Sequence, residues 1–287
     1  MIQRTALTHP LETVIQPIFE ISNDERSLHA IECLTRGPHG SAFEEAPRLF
    51  EYIRRRHLEP EMDRVCIAQA LRAAGDGGTH RISVNVHPVT LAGQRDFASF
   101  LKRESLAAGI AIDRLIVEIG EQAPAADVAA FQHSVCELRD NGVHIAIDDV
   151  GSNHANYRTI LDCRPEYLKI DRYFIAGVAD DAARQAVVRS ICDLGSFFEA
   201  QIVAEGVERI EDHEVLEAMG IRLFQGFLYA RPTSVHPERG WAQGVGAKDL
   251  WRSSCALATK RIRGEEARLF MDRCRVFAAC WMAHPTR

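Results

Sequence analysis

The feature that most limits what this chain can fold into is an alternation that runs through most of its length. Short apolar runs rich in β-branched residues are separated by longer stretches whose apolar residues recur with helical spacing. Strand-type runs fall at 11–20, 27–34, 80–86, 114–119, 143–147, 166–170, 201–204 and 221–224. Helical stretches fall at 46–57, 61–74, 97–107, 127–141, 181–198 and 211–219. The first two runs flank the turn-like pair Asn23-Asp24 and predict a β-hairpin. After them strand and helix take turns, which is the pattern of parallel βα units. There are enough units to close an α/β barrel of the TIM type. An open, doubly wound sheet is the competing architecture. It loses ground because no Gly-x-Gly-x-x-Gly follows a strand and no P-loop motif is present.

The strands carry residues that buried strands do not want. The run Ile145 to Gly151, Ile-Ala-Ile-Asp-Asp-Val-Gly, passes abruptly from apolar residues to two adjacent carboxylates. One reading of Asp148-Asp149 is a solvated turn with a helix cap, since Asp is common in turns. The other is a divalent-cation site, because hard oxygen ligands suit Mg²⁺ and Mn²⁺. Glu32, Asn85, Glu118, Lys169, Glu205 and Gln225 favour the second, each lying in or at the end of a separate strand-like run. In a βα barrel the strand ends at one face converge, and sites are built there. Burying so many charges without partners would cost on the order of several kcal/mol each. Oxygen ligands around two metal ions, with Lys169 as an added positive charge, account for the pattern. A buried salt-bridge network is the structural alternative.

Charge and cysteine usage narrow the class further. Nine Lys/Arg and four Asp/Glu lie between Lys248 and Arg287, which makes that tail +5; the whole chain is −6, so residues 1–247 carry −11. An acidic body without a long basic stripe argues against DNA as a partner. The eight cysteines are scattered, with no Cys-x-x-Cys pair, and predict neither a zinc ribbon nor a disulfide framework. Most of them read as small buried residues in a reducing compartment. No apolar run reaches the roughly 18 residues of a membrane span. The first ten residues lack the apolar segment of a signal peptide. The expectation is a cytoplasmic protein with no transmembrane segment.

The segments Glu32-Cys33-Leu34, Ser83-Val84-Asn85, Glu118-Ile119-Gly120-Glu121, Asp148-Asp149-Val150-Gly151, Lys169-Ile170-Asp171, Ala204-Glu205-Gly206-Val207-Glu208 and Gln225-Gly226 follow one another in a telling order. In that order the chain resembles the EAL-domain family, the phosphodiesterases of the bacterial second messenger cyclic di-GMP. Gln16-Pro17-Ile18 and Ala230-Arg231-Pro232 resemble the family's borders, so the resemblance covers about residues 11–234. It implies a TIM-like (β/α) barrel with an antiparallel first strand over 11–240, between a lead (1–10) and a C-terminal helical extension (241–287). It also implies hydrolysis of cyclic di-GMP to linear pGpG and a homodimer. Carried over by motif, Glu32, Asn85, Glu118 and Asp148 would ligate one Mg²⁺ or Mn²⁺, and Asp148, Asp149 and Glu205 the second. Two such cations lower the pKa of a water and neutralise a phosphodiester. Lys169 would orient that water or stabilise the transition state. Glu205 is alternatively the general base, and Gln225 would lie at the metal or substrate edge. Arg36, with its planar fork, would pair with a substrate phosphate.

The chain departs from the family pattern in places. Cys33 stands where the family name has Ala, a small-for-small change. After the Asp pair, Asn153 replaces a Gly, and Ala155 and Asn156 replace two serines. In the family this loop couples dimerisation to the metal site, supported by an acid equivalent to Glu121, which here follows Gly120 rather than Thr. The altered loop keeps a second reading open: a catalytically silent EAL domain acting as cyclic di-GMP receptor or protein-interaction module. Against it, every matched ligand position is filled. Residues 260–282 have helical periodicity, with Leu269, Phe270, Cys274, Phe277 and Trp281 able to share an apolar side. They read as a packed C-terminal helix or as a basic membrane-surface helix.

Overall fold

The structure, a computed structural model, describes residues 11–22, 25–75, 78–120, 127–151 and 156–234. The lead 1–10, the Asn23-Asp24 turn, Glu121, the loop at 152–155 and the extension 241–287 lie outside the described residues.

Strands β1 (Glu12–Ser22) and β2 (Glu25–Arg36) form the expected antiparallel hairpin, with Gln16 opposite Glu32. Helices α1 (Ala46–Arg55) and α2 (Glu59–Ala74) follow. The chain then runs through β3 (Arg81–Val86), α3 (Pro88–Gly93), α4 (Phe97–Ala107), β4 (Leu115–Ile119), α5 (Val128–Asp140) and β5 (His144–Val150). It continues through α6 (Asn156–Cys163), β6 (Tyr167–Ile170), α7 (Arg172–Ile175), α8 (Ala182–Phe198), β7 (Gln201–Ala204), α9 (Ile210–Ala218) and β8 (Leu223–Phe224). From β2 to β8 each strand lies parallel to the next, and β8 pairs back onto β1. The sheet therefore closes into an eight-stranded TIM-like barrel in which β1 alone is antiparallel to both neighbours. A short β9 (Thr233–Ser234) adds a further antiparallel pairing to β1.

Side chains alternate across a strand, so each strand has one face in the barrel and one under the helices. The outward residues are as apolar as a doubly covered sheet requires: Ile82, Val84, Leu115, Val117, Ile145 and Leu168 are buried. Helical stripes cover them, among them Ile67 and Leu71 of α2, Val135 and Leu138 of α5, and Val188 and Ile191 of α8. Inside, Ile18, Ala30, Ile116, Ala146, Tyr167, Val203 and Leu223 form one apolar layer, contributed by seven of the eight strands. Two residues further along β2, β4, β5 and β6, and just past the end of β7, stand Glu32, Glu118, Asp148, Lys169 and Glu205. The chain thus sets a polar ring directly above an apolar plug.

Several features differ from the sequence reading: helix α7 and strand β9, of four and two residues, are too short to show a period. Helix α3 was not expected; six residues are too few to show a period. It is fixed locally, with Pro88 in its first turn and buried Asp63 of α2 accepting both the His87 N–H (2.8 Å) and the Thr90 hydroxyl (2.5 Å). Strand β5 also runs past Ile147 to Val150, so the Asp pair lies within the strand and not beyond it.

Ile116, at the centre of the apolar plug, is almost fully buried. Ile116→Ala is expected to lower the unfolding free energy by about 2–5 kcal/mol in urea titrations, from lost burial plus a cavity. A loss below about 0.5 kcal/mol would show that the plug is not a packed layer.

Candidate metal centre

The polar ring is organised around Lys169. Its ammonium lies 2.6 Å from Glu118 Oε2, 2.7 Å from Glu205 Oε1, 3.1 Å from Asp148 Oδ1 and 3.5 Å from Glu32 Oε2. Each carboxylate comes from a different strand. Glu32 is held from the other side, where the Asn85 amide donates to Oε1 (3.2 Å) and the Gln225 amide to Oε2 (2.8 Å). Lys169 and Glu118 are 2% and 1% exposed, and with Glu32 and Gln225 they form a buried floor. Asp148, Asp149 and Glu205 are half-buried and Asn85 is exposed, so these four form an accessible rim.

Asp149 should point outward by simple alternation. A bulge redirects it. Ile147 pairs with Leu168 and Val150 with Ile170, leaving Asp148 and Asp149 together opposite the single residue Lys169. Asp149 accordingly adopts φ 54°, a left-handed conformation that Asp tolerates better than most residues. Gly151 follows at φ 101°, where an added Cβ would lie 2.5 Å from the Phe174 ring. Oxygen atoms of Asp148, Asp149 and Glu205 consequently all lie within 4.8 Å of one another.

This crowding sets the electrostatics. Burial alone would lower Lys169, but Asp148, Glu118, Glu205 and Glu32 outweigh it and hold the ammonium charged. Burial would raise Glu32, but Lys169 and the amides of Gln225 and Asn85 bring it below the usual carboxylate range. Glu118 is pushed up to about 8, by burial first and then by Glu32. Burial also carries Glu205 well above its ordinary value. Asp149 rises to about 7 through burial, the Asp148 charge and a hydrogen bond with Asp171. One ammonium does not satisfy five carboxylates.

The residues fit a divalent cation. Asp148 Oδ1 is sealed from solvent and accepts no aligned hydrogen bond; Lys169 Nζ at 3.1 Å is its partner in an ion pair only. Its neighbours Asp149 and Glu205 offer further hard oxygens at cation-binding separation. Two carboxylates 4.8 Å apart repel by roughly 3 kcal/mol at an effective dielectric of about 20, which a bound cation reverses.

Of the residues singled out in the sequence, Glu32, Asn85, Glu118, Asp148, Asp149, Lys169, Glu205 and Gln225 are brought together. Gln225 belongs to the floor, its amide donating to Glu32. Arg36 stands apart at the end of β2, four residues beyond Glu32 and on the same strand face. Glu121 lies outside the described residues. Two contributors were not assigned a role from sequence. Ser83 donates to Glu118 Oε1 (2.5 Å), and Asp171 meets Asp149 while accepting the Tyr173 N–H at the start of α7. Ser83 was findable, because it sits two residues before Asn85 and so shares its strand face.

The raised carboxyls give the site a pH signature. Glu118 and Asp149 keep protons in the folded protein where the unfolded chain, with carboxyls near about 4, has lost them. That contribution to stability is fully present below about pH 4 and is lost as pH rises through about 7–8. A cation competes with those protons. In scanning calorimetry, Mn²⁺ is expected to raise the melting temperature more at about pH 8 than at about pH 6, relative to chelated protein. Equal stabilisation at both pH values, or more at the lower one, would contradict the assignment.

The comparisons with known proteins agree with this geometry. The family model for the EAL domain matches residues 1–232. The blue light- and temperature-regulated antirepressor BluF of Escherichia coli K12 is 31% identical over 168 residues, 56% of this chain and 42% of that one. The probable cyclic di-GMP phosphodiesterase PdeA of the same organism is 32% identical over 152 residues, 53% of this chain and 21% of that one. The chain thus spans less than half the length of either curated relative. Among solved structures, the manganese/cy-diGMP complex of Klebsiella pneumoniae BlrP1 at pH 9.0 superposes with a TM-score of 0.70 at 28% identity. It covers 79% of this chain and 57% of that one. The calcium/cy-diGMP complex of BlrP1 gives a TM-score of 0.67 at 27% identity, with the same coverage of both chains. The ordered ring of acids, amide and lysine, the closed barrel with its reversed first strand and the match along residues 1–232 have one conclusion: this chain belongs to the EAL-domain family.

Proposed function

We propose that the chain is a metal-dependent phosphodiesterase that hydrolyses cyclic di-GMP to linear pGpG, using two Mg²⁺ or Mn²⁺ ions. The charge balance of the ring carries the reading. Glu32, Glu118, Asp148, Asp149 and Glu205 total −5 when ionised, and Lys169 leaves −4. Two divalent cations bring this to zero, whereas one leaves −2. Glu32, Asn85, Glu118 and Asp148 would hold one ion and Asp148, Asp149 and Glu205 the other. Bound there, the ions would acidify a water and offset the phosphodiester charge.

The chain's own residues supply the rest. Lys169, held charged, keeps four carboxylates converged and donates hydrogen bonds; it is no proton acceptor. Glu205, at the rim, is alternatively the general base: once ionised, its carboxylate can take the proton of an attacking water. The water oxygen forms a new bond to phosphorus, the bond from phosphorus to the ribose 3′ oxygen breaks, and that oxygen leaves as a hydroxyl with the proton that Glu205 took from the water. Gln225 acts through Glu32, which its amide orients. Arg36 lies about 13 Å further along β2 than Glu32, from four residues at about 3.3 Å each, a position suited to a second substrate phosphate.

The acidic body supports a protein that does not bind DNA. A cytoplasmic location belongs to the same proposal; no helix among the described residues is long and apolar enough to cross a membrane. The family resemblance supports a homodimer and a barrel domain over 11–240, flanked by the lead 1–10 and the extension 241–287. One relative is named for antirepression rather than catalysis. That favours, as a second reading, a silent receptor or protein-interaction module; the complete ligand ring favours the enzyme.

Purified protein given cyclic di-GMP with Mn²⁺ or Mg²⁺ is expected to form pGpG, followed by chromatography, and chelator is expected to stop it. Glu32→Ala and Asp148→Ala are each expected to lower the rate at least about 100-fold while circular dichroism stays unchanged. Tight binding without turnover by the unaltered chain would instead establish a receptor, and absence of binding an interaction module.

A further inference from the structure

Ser83 lies on the inward face of β3, fully buried, at the level of the apolar plug. Its register neighbours are Glu32 on β2 and Ile116 on β4. Packing alone would accept an alanine there, as it does at Ala30 and Ala146 in the same layer. A buried hydroxyl is tolerated only when it is hydrogen-bonded. This one donates to Glu118 Oε1 at 2.5 Å, while Lys169 Nζ lies 2.6 Å from Glu118 Oε2. Glu118 is therefore gripped at both oxygens, from β3 and from β6. Glu32 is gripped likewise by Asn85 and Gln225, so the two floor carboxylates each carry a pair of donors.

We propose that Ser83 is a positioning residue of the metal centre, fixing the Glu118 carboxylate in the one orientation in which it meets a cation. This rests on the metal reading of the ring. A ligating carboxylate that is free to rotate loses affinity, and removing such an outer partner typically weakens metal binding by about 10–100-fold. Lys169 alone fixes one oxygen and leaves rotation about the side chain open; the Ser83 hydroxyl removes it. The residue touches neither substrate nor reacting atoms.

The test is Mn²⁺ binding by the full chain, read from the electron paramagnetic resonance of free ion, with metal-free melting temperature measured alongside. Ser83→Ala is expected to weaken Mn²⁺ binding by about 10–100-fold with the metal-free protein still folded. Ser83→Thr, which keeps the hydroxyl, is expected to bind within about threefold of the unaltered chain. Ser134→Ala serves as control, since Ser134 is also buried but donates to the Leu91 carbonyl away from the ring. It is expected to leave Mn²⁺ affinity unchanged. If Ser83→Ala does not fold, Ser83→Cys, of similar shape and a weak donor, is expected to show the same loss. Unaltered protein that binds Mn²⁺ together with a Ser83→Ala or Ser83→Cys variant of equal affinity would overturn the role of Ser83 alone. Unaltered protein that binds no Mn²⁺ would overturn the metal reading and this role with it.

Discussion

The Lys169 ammonium, buried among carboxylates from four other strands, is the interaction on which the rest of the site depends. Such a cluster is a poor source of stability, since desolvating the charges offsets most of their attraction. Its value lies in what it leaves over. One ammonium permits Glu32, Glu118, Asp148 and Glu205 to approach one another inside a protein, and it leaves them in charge excess. The apolar plug beneath them offers no countercharge, so the excess is met from the open rim. A barrel is the architecture that makes this possible, because five parallel strands and their pleat bring one residue each to the same level.

Floor and rim divide the work. Glu32 and Glu118 are immobilised by donors from their neighbours, and their positions are set before any ion arrives. Asp148, Asp149 and Glu205 stand half-buried at the rim, and the crowding that Lys169 leaves there is relieved by protons or cations. The β5 bulge is what delivers two of these three from a single strand. Close backbone packing keeps the rim in place. At Gly226, for instance, any Cβ would lie 2.2 Å from the Val207 carbonyl oxygen, so the turn carrying Gln225 is locked against the one after Glu205.

Much of this was legible in the sequence, for physical reasons that can be named. Polar residues at Glu32, Asn85, Glu118, Lys169, Glu205 and Gln225 interrupt runs that are otherwise apolar on both faces, and burial makes such interruptions conspicuous. The Asn23-Asp24 hairpin made the reversal of β1 readable. Other features left little trace. Strand β8 has two residues, and its closure onto β1 through Phe19 and Phe224 has no local signature. The bulge is a one-residue register shift, so β5 was read as ending at Ile147, before the Asp pair. Ser83 is invisible to composition, because a strand serine is ordinary until its hydroxyl is found on Glu118. Arg36 was legible as a residue, but its reach to a substrate is set by loops and ligand and not by strand pattern.

The most direct test of the central claim is a crystal structure of the protein grown with Mn²⁺, with the ions located by anomalous scattering. Two ions are expected above Lys169, one among Glu32, Asn85, Glu118 and Asp148 and the other among Asp148, Asp149 and Glu205. A ring without an ion at saturating Mn²⁺, its carboxylates still closed on Lys169, would show that the cluster is a structural salt-bridge network and not a metal centre.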